Sequence, residues 1–226
     1  MKVFHFLSKE HGLQALKNQR LKVATINELN DPFELLAADL SNRNERRRFL
    51  AWKNEISKKI GFLCFSLDKQ NPLLWSHYAQ KHTGLALEFE VSDELVIPVR
   101  YRKSRQTLDL EAIRKKGGFS ASLAERLGST KFIDWKYEDE VRVPVDLTDC
   151  IKERHLLFQP FINVIDLVKV HAGPLCDISR SEVESQLPKG QKVTLHFTRT
   201  AFRSFAVVKQ HRKKAIEIKG KCNISN

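Results

Sequence analysis

"NPLLWSHYAQKHTGLALEFEV", residues 71–91, changes its period half-way along. "NPLLWSHYAQKH" (71–82) predicts a helix, on which Trp75, Tyr78 and His82 recur at helical spacing and share a face. "GLALEFEV" (84–91) alternates with period two and predicts a strand. The two element types follow one another directly, and the same mixing continues outward in both directions.

Upstream, "KVFHFL" (2–7) predicts a strand, "KEHGLQALKNQ" (9–19) a short helix and "LKVATI" (21–26) a second strand. A basic stretch through Lys59 predicts a helix, and "GFLCFSL" (61–67) a buried strand. Downstream, strands are predicted at "VIPVRYR" (96–102), "EVRVPVDL" (140–147), "VIDLVKVHAGP" (164–174), "KVTLHFTRT" (192–200) and "SFAVVKQ" (204–210). Pro144 marks an edge or a bulge in the second of these. Helices are predicted at "LDLEAIRKKGGFSASLAERLGS" (108–129), broken at its Gly-Gly pair, and at "SRSEVESQLP" (179–188), which opens on a capping pattern. There is no regular βαβ alternation. The pattern argues one α+β domain over residues 1–209, with mostly antiparallel sheets and flanking helices, followed by a basic C-terminal tail over 210–226.

The chain of 226 residues is long enough to bury a sizeable core. It has no run near the roughly 18 apolar residues of a membrane helix. "MKVFHFLSKEHG" lacks the apolar centre of a secretion signal. Cys64, Cys150, Cys176 and Cys222 form no CxxC pair, so neither a zinc site nor a disulfide framework is expected, and a reducing cytoplasm fits. The net charge of +12 favours polyanionic partners such as nucleic acid or nucleotides. Much of it lies in the basic runs 43–48 and 209–221, which equally suit a solvated helix face and a loose tail.

Four constellations carry polar chemistry. In "NDPFE" (30–34), Asp31 can cap a helix, Pro32 fits its first position and Glu34 completes a capping box, or Asn30, Asp31 and Glu34 shape a site wall. Trp75, Tyr78 and His82 form either an ordinary core face or a pocket for a planar ring. His5 alternates with Phe4 and Phe6, so it faces solvent or a cleft if those two face the core. In "YEDEVRV" (137–143), strand alternation puts Glu138, Glu140 and Arg142 on one face and Asp139 on the other. Two carboxylates so placed raise each other's pKa and can hold a cation or a sugar hydroxyl, or the face is exposed with a simple Arg–Glu pair.

"NDPFE", "CFS" (64–66) with "LLWSHYAQKHTGLALEF" (73–89), "WKYEDEVR" (135–142) and "VKVHAG" (168–173) together resemble the pattern of a bacterial family catalogued as domain of unknown function 2971. More loosely, the order of elements resembles the ADP-ribosyltransferase fold in its His-Tyr-Glu branch. That resemblance implies split, mostly antiparallel sheets and NAD as substrate. It implies that His5 bonds a ribose hydroxyl, Tyr78 stacks on nicotinamide, with Trp75, Ser66 and Arg142 also on the nucleotide side, and Glu140 steadies the oxocarbenium-like state. Glu138 would orient the acceptor or act as its base. His82 stands with Asn30, Asp31 and Glu34 in the site wall. The branch carries a glycine where this chain has Phe6, and Ser-Thr-Ser where it has "FSLD".

The leading expectation is therefore an NAD-dependent ADP-ribosyltransferase or NAD glycohydrolase, without a metal, acting on nucleic acid or protein. A host-defence or toxin role is what the resemblance adds. A second reading is a non-catalytic nucleic-acid-binding module that uses the basic surface. A third is a hydrolase or transferase of RNA or another phosphate compound through His5, His77, His82 and Arg142. No GxGxxG, P-loop or HExxH motif is present.

Overall fold

The alternation of "KVFHFL" becomes β1 (Lys2–Leu7), in which Val3 is buried against one side of a sheet and Phe4 and Phe6 against the other. The computed structural model describes residues 1–34, 36–107, 113, 120–162 and 164–221. After β1 come α1 (Lys9–Asn18), β2 (Arg20–Lys22), β3 (Ala24–Thr25), α2 (Arg43–Ile56), β4 (Ile60–Ser66), α3 (Pro72–Tyr78) and β5 (Leu85–Val91). Then follow β6 (Ile97–Pro98), β7 (Arg100–Arg102), α4 (Ala121–Gly128), β8 (Thr130–Phe132) and β9 (Glu140–Asp146). The chain closes with β10 (Ile151–Glu153), β11 (Leu156–Pro160), β12 (Ile165–Ala172), α5 (Arg180–Gln186), β13 (Lys192–Thr200), β14 (Val207–Lys209) and β15 (Ile216–Lys219).

The fold is α+β in one domain, built on a large sheet in the order β14-β13-β12-β5-β1-β4-β9-β6. Its pairings are antiparallel except between β12 and β13. β1 pairs with β5 at every position from Lys2↔Glu90 to Leu7↔Leu85. On its other side it meets β4 only at Phe4↔Ser66, whereas β4 runs along β9 from Ile60↔Asp146 to Ser66↔Glu140. Beyond Phe4 the sheet therefore forks into two half-sheets.

One face is covered by α1 and α5, which contribute Leu16 and Val183 to the main core with Val3, Leu63, Phe65, Leu87 and Val143. The other face carries two separate clusters. Phe4, Phe6 and Ala86 pack under Leu74 and Trp75 of α3. Phe62 packs with Phe49 of α2 and with Leu123 and Leu127 of α4. The fork lies at the seam between these clusters.

Several expectations need correction. "LKVATI" is not one strand: β2 joins a small sheet with β11 and β10, and β3 pairs with β4. The helix of 71–82 stops at Tyr78, because Gln80, Lys81 and His82 take positive φ values of 48°, 53° and 71°. That reversal brings the chain into β5 through Gly84, and it removes His82 from the face of Trp75 and Tyr78. Within the segment expected as a tail, Ile216–Lys219 pairs with β13 and buries Ile218. Of the helix expected at 108–129, residues 108–112 and 114–119 lie outside the described residues. At Pro144 only β4 pairs with β9, since β6 reaches no further than Arg142, and proline's missing N–H costs the ladder nothing there. Among the described residues no helix is long and apolar enough to cross a membrane.

Gly84 tests the reversal. A Cβ there would stand 2.1 Å from the Leu7 carbonyl oxygen and 2.8 Å from Ala79 main chain. Gly84→Ala is expected to lower stability by roughly 2 kcal/mol or more, read from denaturant midpoints, because neither neighbour is a side chain that can swing away.

Candidate functional site

A cavity of about 130 Å³ opens where the half-sheets part. His5 and Phe6 line it from β1, Cys64, Phe65 and Ser66 from β4, Tyr78 from α3, and Asn30, Lys131, Glu138 and Glu140 from beyond β4. Of the residues expected at a site, the structure thus brings His5, Asn30, Ser66, Tyr78, Glu138 and Glu140 together.

His5 belongs to the opposite sheet face from Phe4 and Phe6, as alternation dictates, and reaches the cavity through the gap in the ladder. Its Nδ1 lies 2.8 Å from the Cys64 carbonyl oxygen. A carbonyl only accepts, so Nδ1 carries the hydrogen, and neutral His5 keeps a lone pair on Nε2. Burial lowers the His5 pKa against the pull of that carbonyl, which favours the neutral ring. Its ring meets Phe65 edge-on, with centroids 5.7 Å apart. The Ser66 hydroxyl is spent on the following turn, donating to the Asp68 carbonyl and accepting from the Asp68 N–H.

The carboxylates are organised differently from the sequence expectation. Glu138 is not on a strand: it ends a 3₁₀ turn, and Asp139 follows in the left-handed region at φ 43° before β9 begins at Glu140. Glu140 and Arg142 do share a strand face. The Arg142 fork meets Glu140 with Nε 2.7 Å from Oε1 and Nη2 3.1 Å from Oε2. Its Nη1 donates to the Gly128 carbonyl at 2.6 Å, and its Nη2 lies 2.5 Å from Glu34 Oε2. The fork is aligned with Glu140, so Glu34 is held by charge and off the hydrogen-bond direction. Arg142 is 1 % exposed and does not line the cavity; it lies behind Glu140.

Lys131, which the sequence reading did not single out, ties the cluster together. Its Nζ is 2.5 Å from Glu138 Oε2, 3.1 Å from Glu140 Oε2, 3.4 Å from Glu34 Oε1 and 3.3 Å from Asn30 Oδ1. Asn30 Nδ2 donates to the Tyr78 hydroxyl at 2.5 Å, and that hydroxyl donates to Glu138 Oε1. The ring of Tyr78 is thereby fixed at the cavity wall.

These contacts divide the carboxylates. Burial raises Glu140, but Arg142 and Lys131 outweigh it and hold its carboxyl down at about 2. For Glu138 burial wins over Lys131, and its pKa rises above 4.5. Glu34 is raised in the same way against Arg142 and Lys131. Burial works against the Lys131 ammonium, yet the three carboxylates keep its pKa above the usual lysine value. The cluster thus holds Glu140 as an anion, while burial shifts Glu138 and Glu34 toward their protonated forms.

The helix-cap reading of "NDPFE" fails, and so does the placing of Trp75 and His82 at the site. "NDPFE" caps no helix: Asp31 Oδ1 accepts from the Phe33 N–H in a turn, and Glu34 is drawn inward by Arg142 instead of closing a capping box. Trp75 is fully buried against Phe6 and donates Nε1 to the Lys69 carbonyl, so it supports α3 from behind and does not line the cavity. His82 lies elsewhere, in a cavity formed with Pro72 and residues 200–207. Asp31 faces a second cavity that adjoins the first. Among the described residues no group of three or more His, Cys, Asp or Glu side chains is placed to hold a metal ion.

A family model described as "Protein of unknown function (DUF2971)" matches residues 74–143. That segment carries Tyr78, Lys131, Glu138, Glu140 and Arg142, while His5, Asn30 and Ser66 stand outside it. No curated protein and no solved structure matches the chain.

Arg142→Ala would leave Glu34 and Glu140 buried without their main counter-charge, so it is expected to cost roughly 3–5 kcal/mol in chemical denaturation. Adding Glu34→Gln to the same chain should recover part of that loss, because one unpaired charge is removed.

Proposed function

We propose that the cavity is the active site of a cytoplasmic enzyme that cleaves the N-glycosidic bond of NAD, or of a closely related nucleotide, and passes the ADP-ribosyl group to water or another acceptor. The observation that carries this reading is the convergence of His5, Tyr78, Glu138 and Glu140 on one ring-sized cavity. A cavity of about 130 Å³ has room for the nicotinamide end of the substrate, while the rest extends outward.

When the C1′–N bond breaks, its electron pair leaves with nicotinamide and positive charge builds on the ribose. Glu140, kept ionised by Arg142, supplies a fixed negative charge for that state, and no reorganisation is needed at the moment of reaction. Neutral His5 accepts from a ribose hydroxyl through Nε2. The immobilised Tyr78 ring offers a face to the nicotinamide. Glu138, raised by burial, takes the proton of the attacking hydroxyl. Phe6, standing where the ADP-ribosyltransferase pattern has glycine, turns its ring onto Trp75 with centroids 5.1 Å apart.

Nicotinamide release from NAD by purified protein is the test. Glu140→Gln and Glu138→Gln should each lower kcat by about 100-fold or more. Absence of release by wild-type protein, with water, RNA, DNA and protein offered as acceptors, would overturn the reading. Because Glu138 acts in its deprotonated form, activity should climb with pH through its raised pKa, above 4.5, and Glu138→Gln should abolish that limb. The exposed arginines Arg43, Arg47 and Arg48 of α2 favour a second reading, a nucleic-acid-binding module. RNA or DNA binding with steep salt dependence and no NAD turnover would select it.

A further inference from the structure

A second cavity of about 540 Å³ lies beside the first, and the two share Lys131 as a wall. Its volume falls in the range of small-molecule sites. One side is a run of cations, Arg102 at the end of β7 and Lys103 and Arg105 on the loop that leaves it. All three are exposed, and among the described residues none has a carboxylate partner in an ion pair. The loop is anchored: Gln106 donates to the Ala37 carbonyl at 2.5 Å and accepts from the Asp39 N–H at 2.8 Å. The facing side is aromatic. Phe33 is 57 % exposed, with the Arg105 guanidinium 5.3 Å above its ring, and Trp135 carries Lys131 Nζ 4.8 Å above its own.

Guanidinium groups without a carboxylate partner among the described residues suit a phosphate, to which Arg forms paired, charge-assisted hydrogen bonds. The exposed Phe33 ring and the half-buried Trp135 ring offer apolar surface to a planar group. Only a ligand with both parts satisfies both walls. We infer that this second cavity binds a nucleoside monophosphate unit, its phosphate on Arg102 and Arg105 and its base against Phe33 and Trp135. The inference rests on the reading above in one respect: it makes the two cavities hold two parts of one nucleotide, joined past Lys131.

Isothermal titration calorimetry of the full chain with AMP, with adenosine and with inorganic phosphate provides the test. AMP should bind, and each half alone should bind at least about tenfold more weakly. Arg105→Ala and Trp135→Ala should each weaken AMP by about tenfold, with folding checked by circular dichroism. Failure of AMP to bind folded wild-type protein, or indifference to both substitutions, would overturn the inference. The two readings separate cleanly. AMP binding lost in Arg105→Ala, without nicotinamide release, upholds this site and removes the catalytic proposal. NAD cleavage without AMP binding does the reverse.

Discussion

The buried guanidinium of Arg142 holds the site in shape. It is the point at which β9, the turn at Glu34 and the end of α4 at Gly128 are fastened to each other. A charge this deep is tolerated only because each face of its fork has an acceptor, and those acceptors come from segments far apart in the chain. The turn at 30–34 is therefore drawn toward the sheet, Asn30 comes within reach of Tyr78, and Lys131 finds three carboxylates at once. An apolar side chain at 142 would satisfy the strand and leave these segments with no common anchor.

The period-two stretches were legible because alternation is forced on any strand with two different faces, and β1, β5 and β9 stand where that pattern puts them, while β4, β12 and β13 stand at the other apolar runs read as strands. The breaks were not legible. Three successive non-glycine residues take positive φ after Tyr78, and only Gly84, two residues later, hints at a reversal. The left-handed Asp139 cuts Glu138 off from β9, yet aspartate gives no warning, since it tolerates that conformation and extended backbone alike. "NDPFE" carries the local chemistry of a helix start, and its outcome was settled by a distant arginine.

The site shows the same division. His5, Tyr78 and Glu140 were singled out, on their own chemistry and on a resemblance, and they line one cavity. Lys131 was missed because a lone lysine in "TKF" has nothing local to mark it. Its meaning comes from Glu34, Glu138 and Glu140 closing on it, which is a property of the packed molecule. His82 reads as a neighbour of Tyr78 only if the helix continues past it, and it does not.

The fork also bears on how this sheet deals with its own unpaired main chain. Past Phe4, β1 and β4 present strand edges in the middle of a sheet, where His5 Nδ1 takes over the role of a ladder donor to Cys64. An open edge on the rim of a sheet invites another polypeptide to add a strand, and proteins commonly guard against that. This one is walled in by α3, the turn at 30–34 and the Lys131 cluster. At about 130 Å³ the cavity is too narrow to admit a foreign strand. An edge that would be an aggregation hazard at a sheet's border is, when moved inside it, closed off by the molecule's own packing.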